Sequence, residues 1–292
     1  MEHQLWKEIV AVIARSSKPF WSPHAKFSDA RIVEVYYWAV LHDRPMVWAC
    51  QRKNWPIHCR KQPLPSPSCM SRRLQSKRVT QRLNKLAKIM QPPTGDCLYW
   101  MIDGKPLVIG GCSKDRQASY GRAANSMAKG YKIHVIANAA RQIAAWRLAP
   151  MNVDERKMAR RMIREAMIQG YLVGDGNYDS NELHAACDAR GNLQFVAPRR
   201  YGPKHGFGHR KQAAGRIRSK ELLENPFAEF GKELLALRAN IERLFGNLSS
   251  WGGGLTHLPP WVRTYKRVYR WVQAKLVITA LKRQIQLRTY VA

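Results

Sequence analysis

Acidic residues are scarce in this chain: 20 Asp and Glu stand against 50 Lys and Arg, a formal charge of +30 at neutral pH. None lies between Gln51 and Gln91, a stretch with eleven Lys and Arg, and none follows Glu242. The imbalance exceeds what solubility requires, and a polyanionic partner is its economical explanation. No CxxC pair occurs among the six cysteines at 50, 59, 69, 97, 112 and 187, which points to reduced thiols in a cytoplasmic protein. Neither a signal peptide nor an apolar run of about 18 residues is found, so no membrane span is expected.

Several ligand motifs are also missing. His205 and His209 are spaced like a zinc pair in KHGFGHRK, but glycines break the helix such a pair needs, and the stretch reads as a basic loop. The run Asp175, Asn177, Asp179, Asn181 alternates like a calcium loop, yet Ser180 and Ala186 stand where Gly and Glu are needed. No GxxxxGK[ST], GxGxxG or serine nucleophile elbow appears, so no nucleotide cofactor is expected. There is no internal repeat.

What is present is a chain of 292 residues, 45% hydrophobic, able to bury a sizeable core. Residues 1–92 read as a helical, basic, DNA-binding region. Ser28 caps a helix whose Ile32, Val33, Val35, Tyr36 and Ala39 fall near helical spacing. After the turn PLPSPS, SCMSRRLQSKRVTQRLNKLAKIM is again helical and offers Arg72, Arg73, Lys77 and Arg78 to phosphates.

Residues 93–250 change character. CLYWMID, PLVIGG, YKIHVIAN and QIAAWRLAP read as strands, VDERKMARRMIREAMIQG as a helix capped by Asn152, and YLVGD as a strand. SNELHAACDARG is a short helix and LQFVAP a buried strand, giving the order β-β-β-α-β-α-β. A basic loop, 199–220, with Arg199 and Arg200 as DNA contacts, precedes a helix around KELLALRANIERLFGNL. The tail, 251–292, interleaves aromatics with bases that could stack on unpaired bases, while Tyr265, Val268, Val272 and Leu276 approximate one apolar stripe. That stripe predicts a helix covering the sheet, basic face outward.

Three acids stand out. Asp103 ends CLYWMID and Asp175 ends YLVGD, where ligand sites of open α/β sheets lie. A right-handed crossover returning the second strand beside the first makes them neighbours at a topological switch point. Glu242 is the last acid of the chain, isolated among ten Lys and Arg from Arg238 onward, on a helix whose apolar face would pack on the sheet. Three carboxylates suit two Mg²⁺ (or Mn²⁺) ions, and so phosphoryl transfer on DNA.

These residues resemble the DDE transposases of bacterial insertion sequences: MIDGKPL for the first Asp, GDGNYDSNEL for the second, RANIERLFGNL for the Glu. The pairing of Asp175, Tyr178 and Asp179 with Arg238, Glu242, Phe245 and Gly246 is its most specific element; Leu235 and Ser249 depart from the signature's Tyr and Lys. The resemblance implies an RNase H-like mixed five-stranded sheet flanked by helices. It implies metal-dependent cleavage of double-stranded DNA at the element's ends and transfer of the 3′-hydroxyls to target DNA. Asp103, Asp175 and Glu242 would be catalytic metal ligands, with Arg238 and Tyr178 on the DNA. A homodimer in the DNA complex and a bacterial, nucleoid-associated location are expected with it. A noncatalytic nucleic-acid-binding protein and a nuclease on the same scaffold stay open on the residues alone.

Charge of this density predicts strong salt dependence. Affinity for duplex DNA, read by fluorescence anisotropy, falls by about 1,000-fold or more between about 50 and 200 mM salt if six or more phosphates are neutralised. A flat titration rejects the basic-surface reading.

Overall fold

The computed structural model describes residues 2–16, 25–91, 97–110, 113–123, 126–199, 212–225, 229–248, 255 and 258–291. The first helices are α1 (Glu2–Arg15), α2 (Asp29–Leu41), α3 (Met46–Ala49), α4 (Pro67–Arg73) and α5 (Lys77–Ala87). Then come β1 (Tyr99–Val108), β2 (Ser119–Ala123), β3 (Ser126–Asn138), β4 (Ile143–Pro150), α6 (Glu155–Glu165) and β5 (Gly170–Val173). The chain continues through α7 (Asn181–Asp188), β6 (Leu193–Val196), α8 (Ala214–Glu224), α9 (Glu229–Leu237), α10 (Ala239–Leu248) and α11 (Tyr265–Val291). Two compact units result, Met1–Met90 with Asn247–Ala292, and Gln91–Gly246.

The first unit is a helical bundle. Ser28 accepts a hydrogen bond from the Arg31 amide, and α2 is buried at nearly every position from Ile32 to Leu41, so it forms the bundle's axis. Arg82 of α5 donates to the Ile13 carbonyl at 2.9 Å, satisfying the C-terminal end of α1. Lys77, Arg78 and Lys85 line the outer face of α5, and Lys88 follows at its C-terminal cap. The tail helix departs from expectation: every residue from Trp271 to Ile278 is buried, and α11 packs on α1, α2 and α5. A segment with no exposed face is not a one-sided cover; it is core of the bundle, with Gln273 and Lys275 buried in it against Asn84 and Asp43.

The second unit is a mixed sheet between helices. Its strand order is β2-β3-β1-β5-β6, six strands in all with β4 also on β3. β1 runs antiparallel to β3 and parallel to β5, so the polarity of the sheet switches at β1. CLYWMID and PLVIGG are one strand, not two. Pairing with β5 stops at Met101, which leaves that edge of β1 open where Pro106 sits. The sixth strand, β2, pairs with the first half of β3.

One face carries Trp100, Ile102, Ile136, Leu172 and Phe195 against Met162, Ile163 of α6 and Leu183 of α7. The other sets Val173 and Val196 against Leu234 of α9. Helix ends differ from the sequence reading in instructive ways. Asp154, not Asn152, caps α6 by accepting from the Arg156 and Lys157 amides. The basic loop expected to reach Lys220 is helix from Ala214; residues 200–211, with Arg200, His205 and His209, lie outside the described residues. The single helix expected near the C-terminal end of this unit breaks at Arg238 into α9 and α10.

Gly170 opens β5 rather than closing α6. Its φ is +84°, and a Cβ there would lie 2.3 Å from the Leu98 carbonyl oxygen, the atom that accepts from Tyr171 N at 2.7 Å. Gly170→Ala is expected to cost at least about 2 kcal/mol in denaturant unfolding. Gly191→Ala, at φ +73° in open space, should cost only about 1 kcal/mol.

Candidate active site

The register of β1 on β5 pairs Tyr99 with Tyr171, Trp100 with Leu172 and Met101 with Val173. Continued by two residues, it sets Asp103 opposite Asp175 on adjacent strands, spaced about 4.8 Å apart in such a sheet. Asp175 leaves the strand as cap of a short turn, Gly176–Tyr178, accepting from the Asn177 amide at 3.0 Å and its side-chain amide at 3.1 Å. Asp103 accepts from the Gly104 amide at 2.7 Å. Burial pushes the Asp103 carboxyl up to about 6, and the charges of Asp175 and Glu155 push the same way; the Gly104 bond and Arg238 oppose them.

Strand alternation decides which helix overlies the pair. Tyr99 belongs to the face covered by α9, so Met101, Asp103 and Lys105 share it. Lys105 Nζ lies 5.9 Å from the ring centroid of Phe245, which with buried Ile241 and Leu244 turns the apolar side of α10 inward. Glu242 thus rides a helix on the same face as Asp103. Its own carboxylate is 62% exposed and accepts from Arg238 at 3.2 Å. Among the described residues no three His, Cys, Asp or Glu side chains stand close enough to hold a metal ion. The structure therefore brings Asp103 and Asp175 together and leaves Glu242 one ion pair away, with Arg238 felt by both Glu242 and Asp103. The half-buried aspartate pair fits a hard divalent cation; the third ligand is not in place.

Beneath the pair, on the α6 face, lie Tyr178 and three groups that carry no mark in the sequence, His134, Lys132 and Glu155. Tyr178, expected on DNA, is wholly buried in the core with α6 and α7, because its short turn folds the ring inward. Among the described residues its hydroxyl has no hydrogen-bond partner, and burial, with Glu155, Asp103 and Asp175 nearby, holds the phenol neutral. His134, opposite Gly104, is fully buried, and neither ring nitrogen has a partner among the described residues; burial and Lys132 push it down to about 3. Lys132 reaches Glu155 at the start of α6. A Cβ on Gly104 would sit 3.1 Å from the Lys132 Cδ, so glycine after the first aspartate leaves that lysine its path.

Four residues past Asp175, Asp179 accepts two hydrogen bonds from Arg216, both at 2.7 Å and both groups buried, while His184 Nε2 lies 3.5 Å away. This pair ties α8 to the turn that carries Asp175. Breaking one partner of such a buried ion pair costs about 3–5 kcal/mol. No sequence signal marks Arg216, which reads as one more base in a basic run.

The expected DNA contacts divide. Arg72 and Lys77 are exposed, whereas Arg73 and Arg78 are both drawn to Asp29, at 2.6 and 3.0 Å. Arg199 is engaged by Glu224. Arg200, Ser249 and Cys112 lie outside the described residues; Cys50, Cys59, Cys69, Cys97 and Cys187 are free thiols. No helix among the described residues is long and apolar enough to cross a membrane.

A mixed sheet that switches polarity at its central strand, helices on both faces and paired aspartates at the switch define an RNase H-like domain of the transposase class. The model of the transposase DDE domain family matches residues 101–274, more than half of the chain and all three acids. The chain belongs to that family, and with it to metal-dependent enzymes that process nucleic acid. No curated protein and no solved structure matches it.

The raised Asp103 carboxyl makes a signed prediction. Its folded value of about 6 exceeds the ordinary 3.8, so the native state holds the proton more tightly and this contribution to stability is lost as pH rises through that window. In chelator, Asp103→Asn should be more stable than the parent by on the order of 2 kcal/mol at pH 7 and equal to it near pH 4. The depressed His134 is common to both proteins and cancels. Equal stability at both pH values would show that Asp103 is not strained.

Proposed function

We propose that this protein is a DNA transposase that cuts the ends of an insertion sequence and joins the freed 3′-hydroxyls to target DNA. The observation that supports the reading is the β1–β5 register, whose continuation beyond Met101 and Val173 brings Asp103 near Asp175 on the face that Phe245 of α10 approaches. Two Mg²⁺ (or Mn²⁺) ions held by Asp103, Asp175 and Glu242 would supply Lewis acidity at both the attacking and the leaving oxygen.

The chain's own residues prepare that chemistry. Asp103 and Asp175 form the fixed half of the ligand set, the first held by the β1–β3 ladder and the second by the Asp179–Arg216 anchor. Glu242 is the movable member. A DNA phosphate competes with its carboxylate for the Arg238 guanidinium, and once Arg238 takes the phosphate, Glu242 is free to turn toward the aspartates. Arg72 and Lys77 hold the backbone of double-stranded DNA away from the cut. In this scheme residues 1–92 and 251–292 grip DNA, residues 93–250 perform the chemistry, and a homodimer brings two ends together in the bacterial cytoplasm, at the nucleoid. The separation of Glu242 from the aspartates favours, as a second reading, a DNA-binding relative without cleavage.

Asp175→Asn separates the two. On DNA carrying the element's own ends, with Mg²⁺ or Mn²⁺, cleavage and joining should drop to the metal-free background while affinity stays within about twofold, since phosphate contacts supply the affinity. Cleavage undiminished in the variant removes Asp175 from the mechanism. Absence of cleavage by the parent protein with either ion supports the second reading, and cutting without joining of a pre-cut 3′-hydroxyl end makes it a nuclease.

A further inference from the structure

The helical bundle contains a cavity of about 310 Å³ that the catalytic reading does not use. This falls at the small end of ligand sites, about 300 Å³ and upward. Its walls include three aromatic side chains: Tyr36 of α2, Trp271 of α11 and Trp261 just before α11. Tyr36 and Trp271 are buried, whereas Trp261 is 41% exposed and forms an open wall. Aliphatic residues such as Val40, Met46 and Leu74 form the floor, three arginines, Arg44, Arg267 and Arg270, also line it, and no acid is among the described lining residues. Arg270 is committed, donating to the Leu74 and Lys266 carbonyls. Arg44 and Arg267 are exposed and make no hydrogen bond or ion pair with their side chains among the described residues.

Aromatic surface and free guanidinium groups together match one ligand chemistry, a flat aromatic base joined to a phosphate. Stacking is tolerant of base identity and worth about 1–3 kcal/mol per base. The bases of an intact duplex are already stacked on each other and cannot enter. We infer that this cavity holds a single unpaired base of a DNA strand, stacked on Trp261, with the adjoining phosphate on Arg267 and Arg44. The inference rests on DNA being the partner, but not on cleavage.

The test uses the full chain and two probes of one sequence, a short single strand containing 2-aminopurine and its fully paired duplex. Trp261→Ala should weaken the single strand about 10-fold, which is about 1.4 kcal/mol, and abolish the fluorescence change of the probe. Duplex affinity should change by less than about twofold. Trp261→Phe should recover most of the loss, and Arg267→Ala should weaken the single strand without removing the fluorescence change. Asp175→Asn should leave both affinities intact, so failure of the catalytic reading and failure of this one are separately visible. Equal losses on both probes, or none on either, overturn the assignment. Displacement of the single strand by free deoxyadenylate at matching concentration also overturns it, in favour of a mononucleotide pocket. So does loss of self-association in Trp261→Ala with both DNA affinities kept, which would give the cavity to a second copy of the chain.

Discussion

Asp103 in β1 and Asp175 just past the end of the neighbouring parallel strand β5 repel each other, and Asp103 is largely desolvated. The repulsion and the burial both favour a proton, or a cation, over free charge. Asp103 shows this directly in its carboxyl, raised to about 6. The backbone enforces the juxtaposition: register fixes which residues face each other, and a slip of one residue would turn Asp175 to the other face of the sheet. The pairing of β1 with β5 therefore holds the two carboxylates close enough to feel each other's charge.

The supports are specific. Gly170 lets β5 enter against the Leu98 carbonyl, where any side chain would collide. Asp179 and Arg216 fasten the turn beyond Asp175 to α8, burying a charge pair whose value lies more in fixing geometry than in net stability. Buried Tyr178 and His134 occupy the layer below, both held neutral, and the one lysine there, Lys132, is paired with Glu155. The break at Arg238 redirects α10 across the same face and sets a single guanidinium between the sheet's acids and Glu242.

The helical bundle uses the same amino acids for different ends. Arg73 and Arg78 are absorbed by Asp29, and Arg82 by the end of α1, so formal charge overstates the bases free to meet a polyanion. The tail helix, rich in Arg, Lys and aromatics, buries its first half against the bundle and takes Gln273 and Lys275 in with it, matched by Asn84 and Asp43.

Local sequence sufficed wherever the signal was local. Apolar segments ending in Asp103 and Asp175, the strand and helix alternation around them, and the isolation of Glu242 were legible because strand ends, periodicity and composition are properties of neighbouring residues. Membership of the transposase DDE family follows from those motifs. Tertiary structure decided what depends on distant partners. It fused CLYWMID and PLVIGG into one strand because the edge at Pro106 is open, and turned Tyr178 from a DNA contact into core. It gave Arg216 to Asp179, sent α11 into the bundle, and left Glu242 with Arg238 instead of the aspartates. Sequence specifies which charges exist and where the chain must bend; only packing, by removing water and choosing neighbours, determines which of those charges meet.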